Sequence, residues 1–367
     1  MLSLTLTSWF GGGLGNAALN QCGGVAHHGR MCSNIALLFP KFEEIMKAIL
    51  FTQYGSPDVL QLMEVAKPVP KENEVLVQVQ MAAANPLDWH RMRAAPFMVR
   101  LSDGLLAPKD PRLGADIAGR VLEVGSQVTQ FQAGDEVFAE TGAGGFAEYV
   151  AVKASAVALK PSGLSFAQAA AIPVAGLTAL QGLRNTGKLQ PGQRVLVNGA
   201  SGGVGTFAVQ IAKAFGAHVT GVCSARNFEM VRKLGADEVI DYTETDFTRT
   251  GQRYDLILEA IGNRSVADCR RALTPRGICA VAGFTTVARL FQIILFGSWG
   301  GQKMSMFLAN AVQQDLLALK ELAETGKVVP VIDRTYPLAE TAAAIRYLET
   351  GRARGKVVIA VAPDNPG

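Results

Sequence analysis

One stretch limits this chain more than any other: Asn198-Gly199-Ala200-Ser201-Gly202-Gly203-Val204-Gly205. An apolar run, Arg194-Val195-Leu196-Val197, precedes it. After it, Val204, Phe207, Ala208, Ile211, Ala212 and Phe215 recur with helical spacing. Strand, tight glycine turn, then helix is the context in which glycines mean dinucleotide binding. Glycines let backbone approach a pyrophosphate, and the helix N-terminus presents free N–H groups to it. The spacing here is A-x-G-x-x-G from Ala200, so the flanks carry the argument.

A hydrophobic content of 49% against 18% charged residues describes a chain with ample core, not a disordered one. Its length predicts two domains, or one domain with a large insertion. A net charge of +4, spread without a long basic run, argues against nucleic acid as a partner. Cys22, Cys32, Cys223, Cys269 and Cys279 form no C-x-x-C pair, and so sparse a set fits a reduced cytosol. A cytoplasmic location is therefore expected. No run spans a bilayer; the nearest, from Leu290 to Phe296, is too short and is expected to be a buried segment or pocket lid. Residues 1–45 carry glycine clusters, no acidic residue before Glu43 and no basic one before Arg30. They are read as a disordered N-terminal extension, with Met46 as the functional start.

From Met46 the pattern is β-rich. Short strands are predicted at residues 47–51, 74–80, 119–125, 135–139 and 146–150, which suggests a small barrel or sandwich. Helical runs follow at 166–171 and from Pro173 to about Thr186. After Pro191-Gly192 the chain alternates. Strands at 194–197, 218–222, 238–240, 255–258 and 278–282 are separated by helical segments, including 228–234 and 264–273. That alternation predicts a doubly wound parallel sheet. Further helices are predicted at 315–324 and 340–349, and a last strand at 355–360 could complete the first domain.

The second strand of the alternation ends Val222-Cys223-Ser224-Ala225-Arg226-Asn227. A NAD site would place a carboxylate near here for the ribose 2′-hydroxyl. Small polar residues with an arginine suit a 2′-phosphate instead, so Ser224 and Arg226 point to NADPH over NADH.

These landmarks together resemble the medium-chain dehydrogenase/reductase superfamily, in its zinc-independent quinone oxidoreductase-like branch. They are Tyr54-Gly55-Ser56-Pro57-Asp58, Asn85-Pro86-Leu87-Asp88-Trp89, Gly114-Ala115-Asp116-Ile117-Ala118-Gly119, Gly145-Phe146-Ala147-Glu148-Tyr149, the glycine turn, and Gly355-Lys356-Val357-Val358. The resemblance implies an α/β chain with a GroES-like β-barrel catalytic domain at 46–172 and 328–367. A Rossmann-type doubly wound cofactor domain at 173–327 interrupts it. The resemblance also implies cofactor contacts at Thr178 and Tyr242, with Gly262 and Gly283 at the ends of strands and Lys356 near a phosphate. Zinc-dependent relatives carry a cysteine where Asn85 stands and Gly-His-Glu over Gly114-Ala115-Asp116, so no metal is expected here.

Without Lewis acidity, hydride must go to a carbon that is already electrophilic, which means a quinone or an α,β-unsaturated carbonyl. The site then needs a donor at the carbonyl oxygen, and Asn85 and His90 are the candidates. A homodimer is the family expectation. The alternatives are an alcohol or aldehyde dehydrogenase, an enoyl-thioester reductase, and a non-catalytic NADPH-binding protein.

Overall fold

Val195 and Val197 face one way from their strand and Leu196 the other, and all three are buried. Only a strand covered on both faces has that pattern. In the computed structural model, which describes residues 44–282, 287–297 and 301–362, the first pair packs with Phe207 and Ile211, while Leu196 packs with Ile257, Cys269 and Cys279. The predicted Gly283 contact, and residues 1–43 of the extension read over 1–45, lie outside the described residues; Glu44 instead pairs with Lys67, and Ile45 opens the first strand.

The chain first builds a mainly antiparallel lobe. Its strands are β1 (Ile45–Leu50), β2 (Gln61–Ala66), β3 (Glu74–Ala84), β4 (Asp116–Val124), β5 (Glu136–Glu140), β6 (Tyr149–Lys153) and β7 (Val157–Leu159). Helices α1 (Pro86–Arg93) and α2 (Val99–Asp103) lie between β3 and β4. Next come α3 (Phe166–Ala170) and α4 (Pro173–Gln181).

The second lobe alternates β8 (Arg194–Asn198), α5 (Gly203–Ala214), β9 (His218–Cys223), α6 (Phe228–Lys233), β10 (Glu238–Asp241), β11 (Tyr254–Glu259), α7 (Val266–Ala272), β12 (Leu273–Val281), α8 (Val287–Phe296) and β13 (Lys303–Met306). Its sheet runs β10-β9-β8-β11-β12-β13, every pair parallel. Renumbered within the lobe, this is the 3-2-1-4-5-6 order of a doubly wound dinucleotide fold, and its switch point lies between β8 and β11.

The chain then returns through α9 (Gln313–Glu324), β14 (Ile332–Pro337), α10 (Thr341–Glu349) and β15 (Lys356–Ala360). The first lobe's sheet therefore runs β14-β15-β3-β4-β5-β7, with β6 also on β3. The last predicted strand does complete the first lobe, through antiparallel pairing of β15 with β3. One apolar core joins the two lobes: Phe138, Ala158 and Val358 pack in the same cluster as Leu177, Leu180 and Phe207.

Two expectations need correction. The 85–90 segment, where no helix was predicted, belongs to helix α1. Asn85 caps it, Pro86 opens it, and Asp88 accepts from the Asn85 N–H at 2.8 Å. The apolar run from Leu290 is a helix with one face out. Ile293 is buried, whereas Phe291, Ile294 and Leu295 are exposed. A helix this apolar has more greasy surface than one packing face can cover. Among the described residues no helix is long and apolar enough to cross a membrane.

Candidate cofactor site and buried polar latch

Gly199 turns the chain out of β8 with φ +87°, a conformation that L side chains rarely adopt. Ala200 is buried under the turn and donates its N–H to Val222 O at 3.0 Å. Ser201 Oγ accepts from Asn227 Nδ2 at 3.0 Å. Gly202 is the N-cap of α5, and Gly203, Val204 and Gly205 form its first turn. A Cβ on Gly205 would stand 2.0 Å from Gly199 O, so only glycine allows the helix to start this close to the strand. The first-turn N–H groups have no acceptor within the helix and face the crevice at the end of β8.

Glu259 organises the neighbouring strand end. It is fully buried; both its oxygens accept from Asn198 Nδ2 at 2.8 Å, and Oε1 takes the N–H groups of Ile261 at 3.0 Å and Gly262 at 2.9 Å. Burial raises its carboxyl pKa, against the lowering effect of those hydrogen bonds. Gly262 thus sits at the predicted strand end, with φ +70°. Sequence reasoning missed Glu259, whose signal was an acid closing an apolar strand.

Ser224, Arg226 and Tyr242 line a polar cavity of about 380 Å³ together with Thr350, Gly351 and Arg352. Neither arginine is in an ion pair among the described residues. These two guanidiniums, with the hydroxyls of Ser224 and Tyr242, form a donor set suited to a phosphate, while the Thr350 hydroxyl donates to Tyr347 O at 2.7 Å. Asp241 is nearby, but Thr243 and the Ala225 N–H take up its oxygens and hold its pKa below the usual range. Arg352 could not be read from sequence, because it enters from the segment after α10. Thr178 donates to Val174 O at 2.6 Å within α4, below the crevice.

The predicted donors have other work. Asn85 is 2% exposed, and its Nδ2 donates to Ala83 O at 3.2 Å and to Asp116 Oδ2 at 2.9 Å. Both amide hydrogens are consumed, so Asn85 has none for a substrate. Lys356, expected near a phosphate, is 3% exposed; its Nζ donates to Asn85 Oδ1 at 2.5 Å and to Asp116 Oδ2 at 2.9 Å. An ammonium buried this deeply requires an anion beside it, and Asp116 is that anion. Asp116 Oδ1 also accepts the Val174 N–H of α4 at 2.8 Å, which ties the barrel to the start of the next lobe.

His90 stacks on Trp89, ring centroids 3.7 Å apart, with Nδ1 2.6 Å from Ala95 O. A carbonyl only accepts, so Nδ1 carries the proton and the neutral ring offers Nε2 as an acceptor. Burial lowers its pKa, against the Ala95 contact. His90 therefore does not supply the donor expected of it in its neutral form.

Asp88 is buried and accepts from the N–H groups of Asn85 and Gly114. Burial pushes its carboxyl up to about 6. These residues do not fit a catalytic zinc. Ala115 has no donor atom, and the side chains of Asn85 and Asp116 are committed to Lys356.

A parallel 3-2-1-4-5-6 sheet with a glycine turn at its switch point, set into a β-barrel lobe, defines a nicotinamide-dependent oxidoreductase of two-lobed architecture. Comparison agrees. Residues 71–162 match the alcohol dehydrogenase GroES-like domain, and residues 234–359 match the zinc-binding dehydrogenase family. The 2-methylene-furan-3-one reductase of Solanum lycopersicum is 38% identical, covering 86% of this chain and 79% of that protein. The chloroplastic NADPH-dependent alkenal/one oxidoreductase of Arabidopsis thaliana is 36% identical over the same shares. The structure of the quinone oxidoreductase from Coxiella burnetii superposes with a TM-score of 0.79 at 32% identity, covering 87% of this chain and all of that one. The chain belongs to the medium-chain dehydrogenase/reductase superfamily, in its quinone oxidoreductase-like branch, and is an NAD(P)H-dependent oxidoreductase.

Proposed function

We propose that this enzyme reduces quinones or α,β-unsaturated carbonyls with NADPH and without zinc. The observation that carries the cofactor assignment is the cavity where Arg226 and Arg352 converge with Ser224, Tyr242 and Thr350 beside the glycine turn. The turn at residues 199–205 cradles the pyrophosphate, Arg226 and Arg352 hold the 2′-phosphate, and Thr178 borders the nicotinamide end. Bound NADPH supplies the hydride. The chain's own part is to hold the two lobes in register and exclude water, and Lys356, with Asp116, fixes the start of α1 against α4 while doing so.

The substrate class rests on the names of the relatives and on the missing zinc donors. An electrophilic double bond or quinone needs no Lewis acid, which suits a site whose one buried cation is already paired. With the Asn85 amide consumed, backbone N–H groups and water remain as donors at the carbonyl oxygen.

In this reading the barrel domain is 46–172 with 328–367 and the cofactor domain 173–327, consistent with the membership of the two sheets. The three described cysteines are free and buried, which supports a reduced, cytoplasmic setting. A homodimer would pair along β13, the outer strand of the cofactor sheet.

The test is a panel of quinones, enones, 2-alkenals and simple alcohols, read by NADPH absorbance. Turnover with quinones or enones and none with alcohols is expected. Alcohol-dependent NADP⁺ reduction, or stoichiometric zinc in the pure protein, overturns this reading.

A further inference from the structure

The latch around Lys356 has a carboxyl neighbour, Glu140, one of whose oxygens has no hydrogen-bond partner among the described residues. Glu140 ends β5, directly opposite Asp116 on β4. Opposed residues on antiparallel strands project to the same face, so the two carboxyls lie side by side. Glu140 is partly buried, and its Oε2 is sealed from solvent without a hydrogen-bond partner. Burial first, and then the charge on Asp116, push its carboxyl up to about 7.

The elements packed on β5 bring little else that is charged. β7, α3 and α4 have no ionisable side chain. On β4, Arg120 is at the other end and pairs with Glu136, which Lys160 also meets. Asp116 is thus the charge that faces Glu140, with Lys356 and Asp88 beyond it.

Lys356 is also the latch's link to the cofactor turn. Gly355 donates its N–H to Ser201 O at 2.9 Å and bridges Gly202. The Lys356 stem passes 3.2 Å from where a Cβ on Gly203 would stand. The residue that carries the ammonium is thus joined, through its backbone neighbour and its stem, to the turn read as the pyrophosphate cradle.

We propose that Glu140 is a positioning residue for cofactor binding, acting through Asp116 and Lys356. Protonated, Glu140 leaves the Lys356 ammonium to Asn85 and Asp116. Ionised, it is a second carboxylate beside Asp116, and repulsion between the two pushes Asp116 away from the Lys356 ammonium and the Asn85 amide. The start of α1 and the Gly355–Ser201 contact then loosen, and the cofactor is held less tightly. The inference rests on the reading of the glycine turn as the nicotinamide cofactor site, and it adds a proton-controlled support to that site.

The test is calorimetric titration of the full chain with NADPH and with NADH between about pH 6 and about pH 8.5, the range that spans the carboxyl. NADH lacks the 2′-phosphate, so its curve is free of that group's own ionisation. Wild type should bind both cofactors severalfold more weakly at the upper pH. Glu140→Gln and Glu140→Met should each flatten the NADH curve, and Lys356→Met should bind weakly throughout with no pH response. Two neutral replacements are used so that one folding poorly does not decide the result; circular dichroism checks each. A wild-type NADH curve that is flat, or a fall that survives both substitutions, overturns the inference. Should the pH response follow Glu140 while no quinone or enone is reduced, the inference stands and the substrate reading fails. Should quinones or enones be reduced while the pH response is independent of Glu140, the substrate reading stands and the inference fails.

Discussion

Burial favours the protonated form of Glu140 and of Asp88, and this has a sign for stability. Burial raises Glu140 from 4.5 to about 7 and Asp88 from 3.8 to about 6. Between those limits the folded state binds more protons than the unfolded one, so stability from these groups is full below the unfolded values. It is lost as pH rises through about 6 to 7. Glu140→Gln should therefore be more stable than wild type above neutrality, by up to about 3 kcal/mol, and lose that advantage near pH 4. Thermal melts at both pH values check this; an advantage at acid pH runs against it. A second residue-scale prediction concerns the arginines of the polar cavity. Arg226→Ala or Arg352→Ala removes hydrogen bonds to a charged group, which corresponds to about a ten- to hundredfold rise in KM for NADPH. KM for NADH should hardly move, and equal losses for both cofactors would refute the 2′-phosphate assignment. Arg226 was legible because it follows its strand directly. Arg352 comes from a distant part of the chain and was not.

At the scale of elements, the strand-turn-helix unit from β8 to α5 depends on one contact distance. Gly205→Ala puts a methyl carbon 2.0 Å from Gly199 O, well inside van der Waals contact. Relief requires α5 to move off β8, costing about 1–3 kcal/mol and most of the cofactor affinity. Both can be read from one pair of experiments, a chemical melt and an NADPH titration. Ser265 caps α7 and accepts the Asp268 N–H at 3.1 Å. Ser265→Ala should cost about 1 kcal/mol, read in a thermal melt. Strands β8, β9 and β11 and the end of β12 were readable because each is a buried apolar run bounded by turn residues, whereas the short polar β13 was not predicted. Helix α1 was also written locally, in Asn85, Pro86 and Asp88, yet its short polar sequence lacks the apolar period that identifies longer helices. Strand β14 (sequence Ile332-Asp-Arg-Thr-Tyr-Pro337) has little apolar alternation; it forms because β15 supplies a parallel partner.

On the scale of the whole molecule, single buried polar groups join the lobes. Gln210, in the middle of α5, donates to Val329 O at 3.1 Å and accepts the Val329 N–H at 2.8 Å. Gln210→Leu leaves both backbone groups of Val329 unpaired. It should cost about 1–3 kcal/mol in a denaturant melt, with no change in the slope of the transition. What the sequence determined by itself was local: where strands alternate with helices, where glycine must turn the chain, and which residues at the end of β9 suit a phosphate. Those features depend on side-chain periodicity and backbone permissiveness, which operate between near neighbours. Only the tertiary structure decided that Lys356 belongs to Asn85 and Asp116 rather than to a phosphate, that Arg352 joins Arg226, and that Glu140 stands beside Asp116 without a partner. Charges and hydrogen bonds act across space whatever the sequence separation, so their partners become visible only once the chain has brought β3, β4, β5 and β15 together.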